Sequence, residues 1–311
     1  MNPLLQSPAC FEPFASIKTL LAQDMQAVSA IIQQALHAKT PLVEQVSHHL
    51  IAGEGKRLRP MLALLSAGLF GKLEARHHSL ASIVELIHVA SLLHDDVVDA
   101  SSKRRGQDTA NVLFGNSTSV LVGDFIYSRT FQMMVALGDM RVMAVLSEAT
   151  NTIAQGEVLQ LTYIRNLSMS EDDYYEIIYY KTAKLFEAAA RLGAIINHAS
   201  ATEEEQLACY GKHIGLAFQL LDDVLDFGGN SKQMGKNQGD DLFEGKLTLP
   251  LLYALRHAQP ADAHILRQAV ASGQGLDLVL PVLQRTSALE HVVKVAQQQV
   301  ATACLSLEGI T

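Results

Sequence analysis

The sequence predicts an all-α protein, and two patterns carry that prediction. Apolar residues recur at three- and four-residue spacing along most of the chain, as they do on the buried face of a helix. No segment shows the alternation of apolar and polar residues that is typical of a strand. Hydrophobic residues make up 49% of the 311 residues and charged residues only 18%. That balance predicts a large core, an apolar internal cavity or an apolar surface between subunits.

The helices are predicted in chain order from this spacing. The first, over 14–38, has one apolar face, and the second, over 42–51, ends before Gly53 and Gly55. The third, over 59–69, has Pro60 in its first turn, where proline is tolerated. The fourth, over 79–99, is apolar on most faces and is therefore expected at the centre. Further helices are predicted over 118–137, 140–161, 170–199, 203–227, 249–258 and 288–305, and loops over 101–116, 165–169 and 228–246.

The charge and the cysteines exclude several classes of protein. A net charge of −8 argues against a main role in binding nucleic acid, which requires a basic surface. Cys10, Cys209 and Cys304 lie far apart, so neither a disulfide framework nor a zinc site is expected. The chain has no signal-peptide pattern and no apolar run long enough to span a bilayer. A cytoplasmic protein without a transmembrane segment is therefore predicted.

Two near-identical acidic clusters are the main functional signal. The first acidic cluster is Asp95-Asp96-Val97-Val98-Asp99 and the second acidic cluster is Asp222-Asp223-Val224-Leu225-Asp226. Each lies at the C-terminal end of a predicted apolar helix, where a loop rich in polar residues begins. Carboxylates in apolar surroundings are costly unless a cation neutralises them. Mg²⁺ suits such a site because it binds a few carboxylates and completes its shell with waters and substrate phosphates.

Helical phase groups other polar residues with these carboxylates. On the first helix, His88, Asp95 and Asp99 share one face. On the second, one stripe holds Gln219, Asp222, Asp223 and Asp226. We expect the two clusters to face each other and to hold a phosphorylated ligand between them. The alternatives are a pair of solvated helix ends and an internal network of salt bridges.

The chain also concentrates cations at a predicted helix start. Gly55-Lys56-Arg57-Leu58-Arg59-Pro60 is a glycine turn that leads into a helix, whose first N–H groups favour an anion. Lys56 and Arg59 are three residues apart and can point to one ligand, and an arginine offers phosphate a bidentate contact. The alternative is that the glycines only cap the preceding helix and the cations are solvated.

Taken together, these motifs resemble those of the trans-isoprenyl diphosphate synthase family, in particular its long-chain polyprenyl (octaprenyl-like) members. The resemblance implies one isoprenoid-synthase helical-bundle domain over 1–311 around a central cavity, with a shortened C-terminal helix, and a homodimer. The motifs that carry it are Gly55 to Pro60, Glu85-Leu86-Ile87-His88, Leu92 to Asp99, Arg104-Arg105-Gly106, Gly123-Asp124-Phe125, Gly156-Glu157, Lys181-Thr182-Ala183, Gln219 to Asp223 and Gly235 to Lys246.

The resemblance also implies a reaction and the residues that perform it. The reaction is the head-to-tail condensation of isopentenyl diphosphate onto an allylic diphosphate, with about three Mg²⁺ ions. Farnesyl diphosphate is the expected primer, and an octaprenyl diphosphate for a quinone side chain is the expected product. The metal ligands would be Asp95, Asp99, Asp222 and Asp226, and the catalytic residues would be Asp95, Asp96, Asp99, Lys181, Asp222 and Asp223. Isopentenyl diphosphate would bind to Lys56, Arg59, His88 and Arg105, and the allylic substrate to Arg104, Lys181, Thr182, Gln219, Lys236 and Lys246.

The resemblance further implies that small residues upstream of the first acidic cluster set the product length. Ala90 and Ser91 occupy the positions where short-chain relatives often carry an aromatic side chain that closes the pocket. Small side chains there favour a long product that grows along the helix. Phe131, Met133 and Met134 are the candidates for the floor of that path. The alternative for these three residues is ordinary core packing.

Three other functions are less well supported. A synthase of short C15 or C20 products is disfavoured by Ala90 and Ser91. A class I terpene cyclase usually lacks an intact second acidic cluster, which this chain has. A non-catalytic subunit of a heteromeric synthase tends to lose the aspartates or the basic motifs, and here both are complete.

Overall fold

The structure, a computed structural model, describes residues 11–52, 55–104, 106–228 and 238–310. Helices form nearly all of the regular structure in these ranges, which confirms the predicted all-α class. No described helix combines the length and the apolar character needed to cross a membrane.

The helices follow one another in this order: α1 (Phe11–Leu20), α2 (Ala22–Leu36), α3 (Pro41–Ala52), α4 (Leu58–Gly68), α5 (Ala75–Val98), α6 (Ala110–Phe114), α7 (Asn116–Leu137), α8 (Met140–Tyr163), α9 (Glu171–Ile178), α10 (Lys184–Ile196), α11 (Ala201–Gly228), α12 (Asp240–Glu244), α13 (Leu249–His257), α14 (Pro260–Ser272), α15 (Leu276–Arg285) and α16 (Ala288–Ser306). A π-helical turn (Tyr179–Ala183) joins α9 to α10. Between α5 and α6, β1 (Lys103–Arg104) pairs with β2 (Gln107–Asp108) in an antiparallel hairpin.

Several boundaries differ from the predictions, and each difference has a local cause. The helix predicted over 14–38 is divided at Leu21, whose backbone leaves the helical region while its side chain stays buried. The helix predicted over 170–199 contains the π-helical turn, which a search for a 3.6-residue period does not detect. Helices α14 and α15 were not predicted, although Pro260 and a left-handed Gly273 mark the two ends of α14.

The chain divides into two compact units, each of which is discontinuous in sequence. The first unit comprises 1–100, 109–144 and 189–204, and the second unit comprises 101–108, 145–188 and 205–311. The expectation of a single domain stays a prediction.

Helix α5 is central in the first unit, as its apolar faces predict. It packs against α2, α4 and α7. The five consecutive residues from Leu80 to Val84 are at most 1% exposed, and consecutive positions point to all sides of a helix. Because α5 is enclosed along its length, its C-terminal end is held firmly where the first acidic cluster begins.

The second unit has its own core around α11. Leu220, Val224 and Phe227 are buried on this helix and alternate with the second acidic cluster. They belong to an apolar core that also includes Leu251 and Leu266 from the later helices. The apolar positions of the second cluster therefore anchor the helix that carries its carboxylates.

Candidate functional site

The first acidic cluster lies where α5 ends. The Asp99 N–H donates to the Asp95 carbonyl at 2.8 Å, and Ala100 follows in a left-handed conformation with φ 50°. Asp95 and Asp99 are half-buried, whereas Asp96 is only 4% exposed. The Asn111 side chain donates to the Asp96 carbonyl at 3.2 Å, so α6 holds the last turn of α5. Asp95 and Asp99 therefore lie at the C-terminal end of α5, where they are more accessible than Asp96.

A histidine beside the first cluster explains the Gly123-Asp124 motif. The imidazole of His94 stacks on the Tyr127 ring at a centroid distance of 5.9 Å, and its Nε2 lies 3.5 Å from an Asp124 carboxylate oxygen. A Cβ atom at Gly123 would overlap the imidazole. Glycine at this position therefore lets α7 lie close to α5. Sequence reasoning did not assign His94 a role.

The basic segment begins α4 in the first unit. Arg57 occupies the N-cap in a left-handed conformation with φ 48°, and its guanidinium donates to the Ser29 hydroxyl at 2.5 Å. Arg57 is thus bound to α2, while Lys56 is exposed and Arg59 is half-buried. His88 is half-buried on α5, and its carbonyl accepts a 2.9 Å hydrogen bond from Ser91.

The second acidic cluster lies in the last two turns of α11, near the C-terminal end at which it was predicted. Asp222 is exposed, whereas Asp223 is 2% exposed and Asp226 is 9% exposed. Both carboxylate oxygens of Asp223 accept hydrogen bonds, one from the Tyr174 hydroxyl at 2.6 Å and one from the Gln219 amide at 2.8 Å. The side-chain oxygen of Gln219 accepts a hydrogen bond from the Thr182 hydroxyl at 2.8 Å.

The pKa is raised for both members of the buried pair Tyr174 and Asp223. Burial, followed by the nearby Asp241 carboxylate, raises the pKa of Asp223 well above its ordinary value. Burial, followed by the Asp223 charge, raises the pKa of Tyr174 well above its ordinary value. The Tyr174 hydroxyl therefore keeps its proton and acts as a donor.

Lys181 lies on the π-helical turn and is held by α8. Its Nζ atom is 2.7 Å from a Glu157 carboxylate oxygen and 2.8 Å from the Gln160 side-chain oxygen. A Cβ atom at Gly156 would lie 2.7 Å from the Cβ of Tyr180, so only glycine allows α8 to approach the turn this closely. The Gly156-Glu157 motif therefore supplies both the space for the turn and the partner of Lys181.

A buried ion network anchors the C-terminal end of the same turn. Lys184 donates to Glu148 at 2.8 Å and to Glu187 at 2.9 Å, and the Tyr179 hydroxyl donates to Glu187 at 2.7 Å. Burial alone would lower the pKa of Lys184, but the two glutamates raise it above its ordinary value. Burial and the Glu187 hydrogen bond raise the pKa of Tyr179 to about 12. Sequence reasoning missed this network, although a lysine three residues before a glutamate was its signal.

The remaining predicted residues have mixed placements. Arg104 is half-buried in β1, and Lys246 pairs with Glu244 at 2.6 Å. Arg105 and Lys236 lie outside the described residues. The structure thus brings Lys181, Thr182, Gln219 and Asp223 together in the second unit, and it places His88 and the first acidic cluster on one helix of the first unit.

The candidates for control of product length are not equivalent. Ala90 is fully buried, whereas Ser91 is half-buried. Met134 is 1% exposed and Met133 is half-buried, but Phe131 is 46% exposed on α7. Met134 is therefore the candidate whose burial best suits a floor, and Phe131 does not lie in the interior of the described unit.

The donor set of the two clusters fits Mg²⁺. In the described part of the chain, no three acidic, histidine or cysteine side chains are arranged to enclose an ion by themselves. Mg²⁺ does not require such a cage, since it keeps waters and accepts substrate phosphate oxygens. Asp95, Asp99 and Asp222 offer accessible carboxylates, and Asp226 lies on the same stripe as Asp222. Oxygen donors without thiolates favour Mg²⁺ over softer metals.

Known proteins resemble this chain over most of its length. Residues 40–279 match the family model described as polyprenyl synthetase. The chain is 47% identical to the octaprenyl diphosphate synthase of Escherichia coli (strain K12), over 94% of this chain and 91% of the relative.

Two solved structures are also similar over nearly the whole chain. One is a polyprenyl synthase from Caulobacter crescentus CB15 complexed with calcium and isoprenyl diphosphate, with a TM-score of 0.92, 39% identity and coverage of 94% of this chain and 91% of that one. The other is a decaprenyl diphosphate synthase from Rhodobacter capsulatus, with a TM-score of 0.90, 43% identity and coverage of 96% and 93%.

Proposed function

The chain belongs to the polyprenyl synthetase family, and from that premise we propose that it extends farnesyl diphosphate to an octaprenyl diphosphate. The protein is a trans-prenyltransferase that condenses isopentenyl diphosphate onto an allylic diphosphate and makes a long-chain all-trans polyprenyl diphosphate. One observation supports placing this reaction beside the second acidic cluster. In the second unit, Thr182 of the Lys181 turn is joined through Gln219 to the second acidic cluster.

The residues have complementary tasks in the proposed mechanism. The allylic C–O bond breaks, and its electron pair leaves with the diphosphate. Lys181 and Arg104 stabilise the negative charge that develops on that leaving group. Asp95, Asp99, Asp222 and Asp226 would hold Mg²⁺, which would supply further stabilisation of that charge as a Lewis acid.

The second substrate then forms the new carbon–carbon bond. Lys56, Arg59 and His88 hold the diphosphate of isopentenyl diphosphate, which is retained in the product. The double bond of this substrate attacks the allylic carbon, and the proton that is lost passes to the departed diphosphate. No protein nucleophile takes part, so Cys209 and Cys304, both free thiols, need no role in the reaction.

The product length rests on the residues beside the first acidic cluster. Similar relatives carry names with different lengths, octaprenyl at 47% identity and decaprenyl at 43% identity. Ala90 and Ser91 support a long product in either case, because neither position carries the aromatic side chain that would close the path of the product. We propose an octaprenyl chain, used for a quinone side chain and made in the cytoplasm.

We also propose that the protein is a homodimer joined through α7. Val120, Leu121, Phe131 and Val135 are 37%, 66%, 46% and 67% exposed, respectively. Helical phase places these four apolar side chains on one face of α7. Exposed apolar side chains that share one helix face are typical of a surface that another subunit covers. Sedimentation analysis tests this assembly, with Val135→Glu as the variant expected to dissociate it.

A product-sizing assay tests the proposed activity. Purified protein is incubated with farnesyl diphosphate, labelled isopentenyl diphosphate and Mg²⁺, and the dephosphorylated products are separated by chain length. The expected result is a ladder that ends at eight prenyl units and disappears when Mg²⁺ is chelated. A ladder that ends at three or four units would support a short-chain synthase. Failure to incorporate label would support a non-catalytic subunit.

A further inference from the structure

A buried tyrosine of no assigned role contacts the second acidic cluster. The Tyr174 hydroxyl lies 2.6 Å from one carboxylate oxygen of Asp223, and both residues are 2% exposed. The other Asp223 oxygen accepts from Gln219 at 2.8 Å, and Gln219 in turn accepts from Thr182 at 2.8 Å. Four side chains thus form one continuous line of hydrogen bonds within the second unit.

The amide of Gln219 sets the direction of the bonds at the centre of this line. Its nitrogen can only donate, and it donates to Asp223, which also accepts from the Tyr174 hydroxyl. The Gln219 oxygen faces Thr182 and can only accept. Asp223 is thus held by side chains from two different helices. A change at Tyr174 is therefore expected to reach Thr182 through Asp223 and Gln219.

Tyr174 is itself held rigidly. It is the fourth residue of α9, whose start is capped by a reciprocal pair in which Ser170 and Asp173 hydrogen-bond at 2.8 Å and 3.1 Å. Its ring lies in the apolar core of the second unit and meets the Tyr175 ring edge-on at a centroid distance of 5.5 Å. Helix α9 continues directly into the π-helical turn that carries Lys181 and Thr182.

One segment of chain therefore grips the second acidic cluster at two points. The first is direct, through Tyr174, and the second is indirect, through Thr182 and Gln219. The second point lies on the π-helical turn itself, and such turns are often found where a functional side chain must be displaced from regular helical phase. These two sets of hydrogen bonds together determine where Lys181 and Thr182 lie relative to the exposed Asp222.

We propose that Tyr174 is a positioning residue that aligns the Lys181 turn with the second acidic cluster, so that Lys181, Thr182 and Asp222 bind one allylic diphosphate together. Tyr174 touches neither substrate nor metal and acts through Asp223. The inference rests on the proposed function, since it concerns how that function's allylic substrate is bound.

The test measures binding rather than turnover. The probe is farnesyl thiodiphosphate, an unreactive allylic analogue, titrated into the protein in Mg²⁺ by calorimetry. Tyr174→Phe removes only the hydroxyl. It is expected to weaken binding of the analogue by about 10- to 100-fold, which is the usual consequence of losing a residue that supports a metal or ligand contact. Tyr175→Phe is the matched control and should bind as the wild type does.

A double-mutant cycle separates positioning from a loss of stability. If Tyr174 acts through Asp223, Tyr174→Phe should have little further effect on the analogue Kd in an Asp223→Asn background. That background also lacks the buried charge, so the double variant remains measurable even if Tyr174→Phe alone folds poorly. Additive effects on Kd would overturn the proposal, as would Tyr174→Phe protein that melts earlier but binds the analogue with wild-type affinity.

The kinetic constants provide a second readout. Tyr174→Phe should raise the KM for farnesyl diphosphate and leave the KM for isopentenyl diphosphate within about twofold, because the line of hydrogen bonds does not reach the basic segment. Equal increases in both KM values would contradict the proposal. Wild-type protein that binds the analogue but does not condense the substrates would overturn the proposed function, while the binding cycle would still decide the role of Tyr174.

Discussion

The two acidic clusters share one spacing but differ in their surroundings. The first ends its helix, and Asp95 and Asp99 lie at the open end of α5. The second occupies the last two turns of α11, and only Asp222 is exposed. Both clusters bury the middle aspartate, Asp96 at 4% and Asp223 at 2% exposure, and the second cluster also buries Asp226 at 9%. Identical spacing therefore does not give three equivalent ligands, and the second cluster is the more deeply buried of the two.

The residues upstream of the two clusters sharpen this contrast. Ala90 and Ser91 precede the first cluster by five and four positions, and the matching positions before the second cluster hold Ala217 and Phe218. The Phe218 ring packs against Phe186 at a centroid distance of 5.5 Å. An aromatic side chain therefore occupies one of the matching positions on α11, whereas α5 carries small side chains at both positions. A growing chain is expected to follow α5.

The largest effect is expected from removing one ligand charge in each cluster. Asp95→Asn and Asp222→Asn should each lower kcat/KM by about 10³-fold, because each would remove a charge from the proposed cation site at the leaving group. The measurement is the initial rate of label incorporation at saturating Mg²⁺. Asp277→Asn, at an exposed position in the second unit, is the matched control and should retain full activity. If only one cluster proved sensitive, the two clusters would not serve one diphosphate.

A change in product length is expected only from substitutions near the first acidic cluster, and not from a matched substitution near the second. Ser91→Phe places an aromatic ring at a half-buried position and should shorten the product ladder by several prenyl units. Ala90→Phe should shorten it too, but it also overpacks a fully buried site, at a cost of about 1–3 kcal/mol. Met134→Ala should lengthen the ladder by opening the floor. Phe218→Leu is the matched change beside α11, and it should leave the distribution of lengths unaltered.

The sequence predicts the phase of the two clusters but not their environment. Helical periodicity correctly placed Asp95 and Asp99 on one face, because phase depends only on local geometry. It did not find the partner of Asp223, because Tyr174 lies 49 residues away along the chain and that contact arises from tertiary packing. It likewise missed the π-helical turn, since one extra residue per turn leaves the apolar pattern on either side intact.

Family resemblance supplied what periodicity could not. Gly123 and Gly156 belonged to recognisable motifs, but only the packing explains them, since a Cβ atom would strike His94 in one case and Tyr180 in the other. Phe131 shows the opposite limit. Its place on the helix after the Gly123-Asp124-Phe125 motif made it a candidate for the floor of the product path, yet the side chain is 46% exposed on α7. A stripe of apolar residues does not distinguish a core face from a face that another subunit covers.

The two units also bury charges of opposite sign. In the first unit, Glu204 is 7% exposed and is bound by Arg191 at 2.8 Å and by Arg141. In the second unit, Lys184 is 8% exposed and is bound by Glu148 and Glu187. Burial would raise the pKa of Glu204, but the hydrogen bonds from Arg191 and Arg141 hold it below its ordinary value of 4.5.

These shifts predict opposite pH limits for the two networks. Because the pKa of Glu204 is lowered on folding, its stabilisation is present above pH 4.5 and is lost as the pH falls through the folded value. Because the pKa values of Lys184 and Tyr179 are raised, their stabilisation is present below the ordinary values of 10.5 and 10.0 and is lost as the pH rises. Glu204→Gln should therefore flatten the acid limb of a stability profile, and Lys184→Met the alkaline limb.

The smallest effect is expected at neutral pH, where Glu204→Gln and Lys184→Met should each lower the free energy of unfolding. Each substitution leaves buried donors or acceptors without a charged partner, so each should lower the free energy of unfolding by about 1–3 kcal/mol. Urea unfolding at intervals between acid and alkaline pH provides the measurement. Arg285→Gln, which breaks an exposed pair with Asp262, is the control and should change stability by less than about 1 kcal/mol. If Lys184→Met altered the acid limb instead, the assignment of each pH limit to its own buried network would be wrong.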